Sequence, residues 1–328
     1  DEGTPEKFVY RTPHYEFEAD AKLAPNLVQD FCKIFEVTHA AMEQNPLGLR
    51  LMEPEGGYFK VRLFKDNRGY VRAGGRLGAA GMYSPRTKQI IVPFHSIGLR
   101  KANVAWVRQG DIYDPTTLIH EATHQLLDHW LDVAPIWFTE GFADWVGSSR
   151  YDSGQLFFDR LEDGMKERIR GREKENMRIR DRGLAGFEFP LDAQGILHAS
   201  QYHFMGYQPA PELEHHVILH NYHSSLLLVH FALNEDKPAG VQRMRQYLEL
   251  YRQTVTKSGI RELDYPEKIK TEEEIAEFKE VVKKLISIQK EGVDTAYPQL
   301  AHGRSENDFF AELASFYKPF GILLMPHL

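Results

Sequence analysis

His120-Glu121-Ala122-Thr123-His124 places two imidazoles and a carboxylate within five residues. On a helix, residues four apart share a face with Cβ atoms about 5–6 Å apart, so both rings can reach one metal ion at about 2.0–2.1 Å. Glu121 sits about 100° around such a helix from His120, where its carboxylate can flank a water held by the ion. This is the arrangement of metal-assisted hydrolysis. A catalytic zinc takes three protein ligands and leaves its fourth position to water. Glu140, sixteen residues after His124, is the candidate third ligand. The short stretch 131–135 lets a second helix, opening at Pro135, fold back beside the first and present Glu140 to the same ion. Asp144 lies one turn further along that helix, on the face of Glu140. There it can accept the Nδ1–H of a ligand histidine, fixing the tautomer and raising basicity.

Other elements must hold these residues. Asp114 as N-cap and Pro115 at the first helical position start the motif helix, with Leu118, Ala122, Leu126 and Leu127 as its packing face. Upstream, 10–19 alternates as a strand, and a helix is expected over 24–42. Segments 58–64, 69–73, 79–83 and 89–94 read as short strands separated by turn residues. Within this region Gly78-Ala79-Ala80-Gly81-Met82-Tyr83 reads either as an edge strand open to a peptide backbone or as a Gly-rich turn. The basic and acidic stretch 159–182, which includes Arg168, reads as a solvated helical face or flap, with a patch for acidic ligands as the alternative. Helices are expected at 224–233, 241–254, 271–291 and 305–317.

The expected fold class is therefore α+β: a small, mostly antiparallel sheet, then the active-site helix, then a mainly helical C-terminal part. Two subdomains are expected, 1–130 ending in the motif helix and 131–328 carrying Glu140. A composition of 42% hydrophobic and 27% charged residues is that of a globular protein. The formal charge of −7 lacks the basic footprint of a nucleic-acid binder. No apolar run approaches the ~20 residues of a membrane helix. Cys32, the single cysteine, excludes an intrachain disulfide and a Cys-rich metal site; its apolar neighbours favour a plain buried thiol over a reactive one. The start Asp1-Glu2-Gly3, with neither initiator Met nor visible signal peptide, fits a mature extracytoplasmic (periplasmic or secreted) form and also a trimmed cytoplasmic chain. The oligomeric state is not legible.

With its motif followed by Trp137-Phe138-Thr139-Glu140-Gly141-Phe142-Ala143-Asp144, the chain resembles the gluzincin group of HExxH zinc metallopeptidases, most closely secreted bacterial gluzincin-like proteins of unassigned function. The segment 137–143 is similar to its counterpart in M1-type aminopeptidases, and the Glu140/Asp144 pair to that of thermolysin-like enzymes. The resemblance implies a zincin-like fold and one zinc ion on His120, His124 and Glu140. It also implies a peptide or protein substrate, with Glu121 as general base. The gap between His124 and Glu140 is a few residues shorter than in those two families, and the amino-terminus-holding segment of the M1-type enzymes is missing. Asn221-Tyr222-His223 resembles the helix start that carries their oxyanion-stabilising tyrosine, so Tyr222 is the candidate for that role. Thermolysin-like enzymes use a downstream histidine instead, which makes His216, His220 and His223 the competing candidates. Two other functions fit the same residues: a non-catalytic scaffold that uses the zinc site structurally, and a hydrolase of a non-peptide amide such as cell-wall material.

Overall fold

Alternation of large apolar and polar residues in Tyr15-Glu16-Phe17-Glu18-Ala19 buries one side of a strand and leaves the other to ion pairs, and a sheet builds outward from it. The computed structural model describes residues 7–76, 78–109, 115–152, 154–158, 161–170, 187–204, 214–263 and 271–326. These fall into two compact units, one of residues 1–128 with 146–161, the other of 129–145 with 162–328.

The first unit contains strands β1 (Phe8–Arg11), β2 (Tyr15–Ala19), β3 (Phe59–Phe64), β4 (Met82–Ser84) and β5 (Gln89–Pro93) in one sheet of order β1-β2-β3-β5-β4. β1–β2 and β4–β5 are antiparallel, whereas β2–β3 and β3–β5 are parallel. The hairpins β6 (Leu99–Ala102)–β7 (Ala105–Arg108) and β8 (Arg150–Asp152)–β9 (Gln155–Phe157) are antiparallel too. Antiparallel pairs therefore prevail among the described ladders, while the middle of the main sheet is parallel. The α+β class, with a small sheet ahead of the motif helix, is as the sequence indicates.

Helix α1 (Pro25–Glu43) buries Leu27, Phe31, Ile34, Phe35 and Met42, the three-to-four spacing of a helix face. It packs on helix α3 (Thr116–Leu126), which is buried from Leu118 to Leu126 and also meets β4 and β5. Cys32 on α1 is half-buried, and burial followed by the charge of Glu36 pushes its thiol up, so it is a poorly reactive group.

Three expectations need correction. Residues 69–73 are not a strand: helix α2 (Asn67–Arg72) runs there, because Asp66 caps it by accepting the Gly69 N–H at 2.8 Å. An Asp-Asn pair that reads as a turn is here a helix N-cap. Of the strand expected over 79–83, only Met82–Ser84 forms, preceded by Gly78 at φ +87. The residue before α3 in capping position is Pro115, and Asp114 lies outside the described residues.

Helix α4 (Asp128–Leu131) starts on the last residue of the first unit's main stretch, and the second unit holds most of α5 (Ile136–Gly147) and of α6 (Leu161–Arg170). Then come β10 (Phe187–Leu191), α7 (Ala193–Leu197), α8 (Gln201–Phe204), α9 (Glu214–Asn234), α10 (Ala239–Lys257), α11 (Glu272–Ala301), α12 (Glu306–Tyr317) and β11 (Ile322–Pro326), the last pairing in parallel with β10. The C-terminal part is mainly helical. α11 and α12 open with capping boxes, Thr271 with Glu274 and Ser305 with Asp308.

Candidate metal centre

α3 is pinned where its chemistry lies. Gln125, next to His124 and 1% exposed, donates from Nε2 to the carbonyls of Lys60 (3.1 Å) and Lys88 (3.0 Å), so the helix end is fastened to the sheet. Along the helix, His120 and His124 stand with Nε2 atoms 3.0 Å apart and ring centroids 4.6 Å apart at 85°. Two nitrogens bonded to one tetrahedral zinc at about 2.0–2.1 Å would be about 3.3 Å apart, so the pair already has the spacing that a shared ion requires.

Glu140 joins them: one ligand atom from each of His120, His124 and Glu140 lies within 4.8 Å of the others, and all three residues are buried. This buried His-His-Glu group could hold a metal ion. The adjoining Glu121 is buried as well. The donor types gathered here, imidazole nitrogen and carboxylate oxygen, are those that divalent zinc takes. Among the described residues the group has three donors, the number a catalytic zinc keeps.

Glu121 is tied to the sheet. Its Oε2 accepts the backbone N–H of Tyr83 at 2.6 Å. Tyr83 lies in β4, the edge strand, opposite Ile90. The amide that this open edge would offer at Tyr83 is thus already used by the candidate base. Tyr70, 1% exposed, senses the same carboxylate: burial first, then the Glu121 charge, push its phenol up to about 12.

Asp144 is 1% exposed, and its Oδ1 accepts from the Arg168 guanidinium on α6. The sequence offers a histidine as its partner; the hydrogen bond described here is to Arg168. Arg168 therefore does not belong to a purely solvated face. α6 buries Leu161 and Met165, and Arg168 continues that side, a three-to-four spacing that the surrounding charges conceal. Gly141, between Glu140 and Phe142, faces α9 so closely that a Cβ there would stand 2.6 Å from the Ser225 carbonyl carbon.

On α9, Tyr222 is half-buried, with its ring centroid 5.6 Å from that of Phe204. His220 stacks on Phe189 at 4.8 Å, and His223 is half-buried. His216 lies in the helix, with its side chain outside what is described. Sequence reasoning missed Tyr83, Lys88, Gln125 and Asp128. All four act through partners far away in the chain, and only the edge-strand reading of 78–83 pointed toward one of them.

No protein-family model matches the chain, and no curated protein matches it. Among the described residues, no helix is long and apolar enough to cross a membrane.

Proposed function

We propose that the chain is a zinc-dependent peptide hydrolase of the gluzincin type, with His120, His124 and Glu140 as metal ligands and Glu121 as general base. The observation that carries this reading is the buried His-His-Glu group with a carboxylate at the second position of the motif. A His-His-Glu set suits zinc, and a zinc ion bound there would supply Lewis acidity and a water acidic enough to attack near neutral pH, with a pKa of ~7.

The rest falls to the side chains. His120 and His124, Nε2 to Nε2 at 3.0 Å, would hold the ion from one helix face, and Glu140 would complete the set from α5. Glu121 takes the proton of the attacking water at its carboxylate and delivers it to the leaving amine nitrogen, general acid–base work of about 10²–10⁴-fold in rate. Tyr222 donates to the developing oxyanion, with His216, His220 and His223 as the alternatives. Asp144 orients the ligand set while Arg168 balances its charge. An extended peptide would lie along β4, using acceptors of that edge rather than the Tyr83 amide.

The test is a proteome-derived peptide library cut by the wild type and by Glu121→Gln, with new amino termini read by mass spectrometry. Chelator-sensitive termini from the wild type alone are expected. The same termini from both proteins would refute the role given to Glu121.

A further inference from the structure

We propose that Tyr83 is a positioning residue for the candidate base, a clasp that holds Glu121 through its backbone and anchors itself to Asp128 through its side chain. Its N–H donates to Glu121 Oε2 at 2.6 Å, and its hydroxyl donates to Asp128 Oδ1 at 2.7 Å. The other Asp128 oxygen takes the ammonium of Lys88. Glu121 lies on α3 and Asp128 opens α4, just past the C-cap Leu127, so one tyrosine bridges two anchor points seven residues apart on either side of the α3 terminus.

All three partners are withdrawn from water: Tyr83 is 7%, Glu121 8% and Asp128 5% exposed. Both bonds end on carboxylate oxygens, which makes them the stronger, charge-assisted kind. Lys88 comes from the turn between β4 and β5, at φ +55. The hairpin is thus fastened to the helix from its strand and from its turn. β4 is only three residues long and lies at the sheet edge, so its own ladder holds it weakly. Without the Asp128 anchor, the Tyr83 amide could drift from Glu121.

The consequence is a carboxylate with one oxygen committed. Oε2 is held by the strand, and Oε1 has no hydrogen bond among the described residues. The structure assigns Oε1 as the atom that would exchange protons, and Tyr83 as the residue that fixes where it points. That role rests on the peptidase reading; the clasp itself does not.

The experiment measures residue-resolved amide hydrogen exchange on metal-free protein, together with steady-state kinetics on the zinc-loaded form. The variants are Tyr83→Phe, Asp128→Asn and Lys88→Met, the last freeing Asp128 from a side chain 40% exposed. The Tyr83 amide should be protected in the wild type and exchange about tenfold faster or more in Tyr83→Phe and Asp128→Asn, and faster than wild type in Lys88→Met. With one zinc still bound, kcat of these variants should fall about tenfold or more at unchanged KM, and a Tyr83→Phe/Asp128→Asn double variant should be no worse than either single one. Unchanged protection would overturn the clasp, and faster exchange with wild-type kcat would overturn its role at the base. If the wild type cleaves nothing, the peptidase reading fails while the exchange data still decide the clasp. If Tyr83→Phe does not fold, Asp128→Asn and Lys88→Met give the same readouts.

Discussion

Arg168 pairs a buried carboxylate one helical turn from the candidate ligand Glu140. Asp144 is 1% exposed while the Arg168 side chain is 24% exposed. Truncating the arginine would leave a nearly inaccessible charge without its guanidinium. Breaking a fully buried pair costs about 3–5 kcal/mol; the partial exposure of Arg168 reduces this, so Arg168→Leu should destabilise by about 2 kcal/mol. Arg168→Lys should recover part of that and lose the directional N–H fork. Urea unfolding of the two variants checks both. At this scale the sequence is uneven. That His120, His124 and Glu140 come together is legible, because helix spacing relates the two histidines and the short stretch 131–135 returns the chain beside them. Arg168 and Asp128 are not, since Asp144 and Arg168 are 24 residues apart and Tyr83 and Asp128 are 45 apart. No local pattern encodes such pairings.

At the scale of elements, α5 owes its place to Gly141. With a Cβ 2.6 Å from the Ser225 carbonyl carbon and 2.9 Å from Val229 Cγ2, Gly141→Ala would push α5 off α9 and carry Glu140 with it. Overpacking of this kind costs about 1–3 kcal/mol. The expected outcome is a lower Tm together with weaker zinc binding, measured by calorimetry and by competition with a chromogenic chelator. A lower Tm with unchanged zinc affinity would separate the packing role of Gly141 from the placement of Glu140. The elements around the motif are legible where periodicity is strong, as in α1, β3, β5 and α12. They are less so where polar residues interrupt it: α9 begins at Glu214, ten residues before the apolar run announces it, because His215, His216, His220, Asn221 and His223 break its stripe. β10 and β11 escape notice because a short parallel pair far apart in sequence has no turn to mark it.

At the scale of the whole molecule, stability should depend on acid through His230. Its Nδ1 hydrogen-bonds the Tyr317 hydroxyl at 3.0 Å, and its Nε2 is 3.5 Å from Glu162. Burial pushes the imidazole down to about 4; Glu162 opposes that shift, and Lys237 adds to it. The native state therefore holds fewer protons than the unfolded chain between pH ~6.5 and ~4. The stabilisation is complete above pH ~6.5 and is lost as pH falls toward ~4, below which it levels off. The Tm of His230→Gln should fall less steeply than that of the wild type across this window, in thermal scans from pH 7 to pH 4. A small sheet ahead of a mainly helical C-terminal part is legible from periodicity. The return of 146–161 to the first unit is not, because it depends on which surfaces meet. The central claim concerns one metal ion and one base, and it is most directly tested by counting zinc per chain and measuring chelator-sensitive peptide cleavage in the wild type and in Glu121→Gln. One zinc in each protein, with cleavage at least about 10²-fold slower in the variant, is expected. Equal cleavage by both, or no bound metal in the wild type, would contradict it.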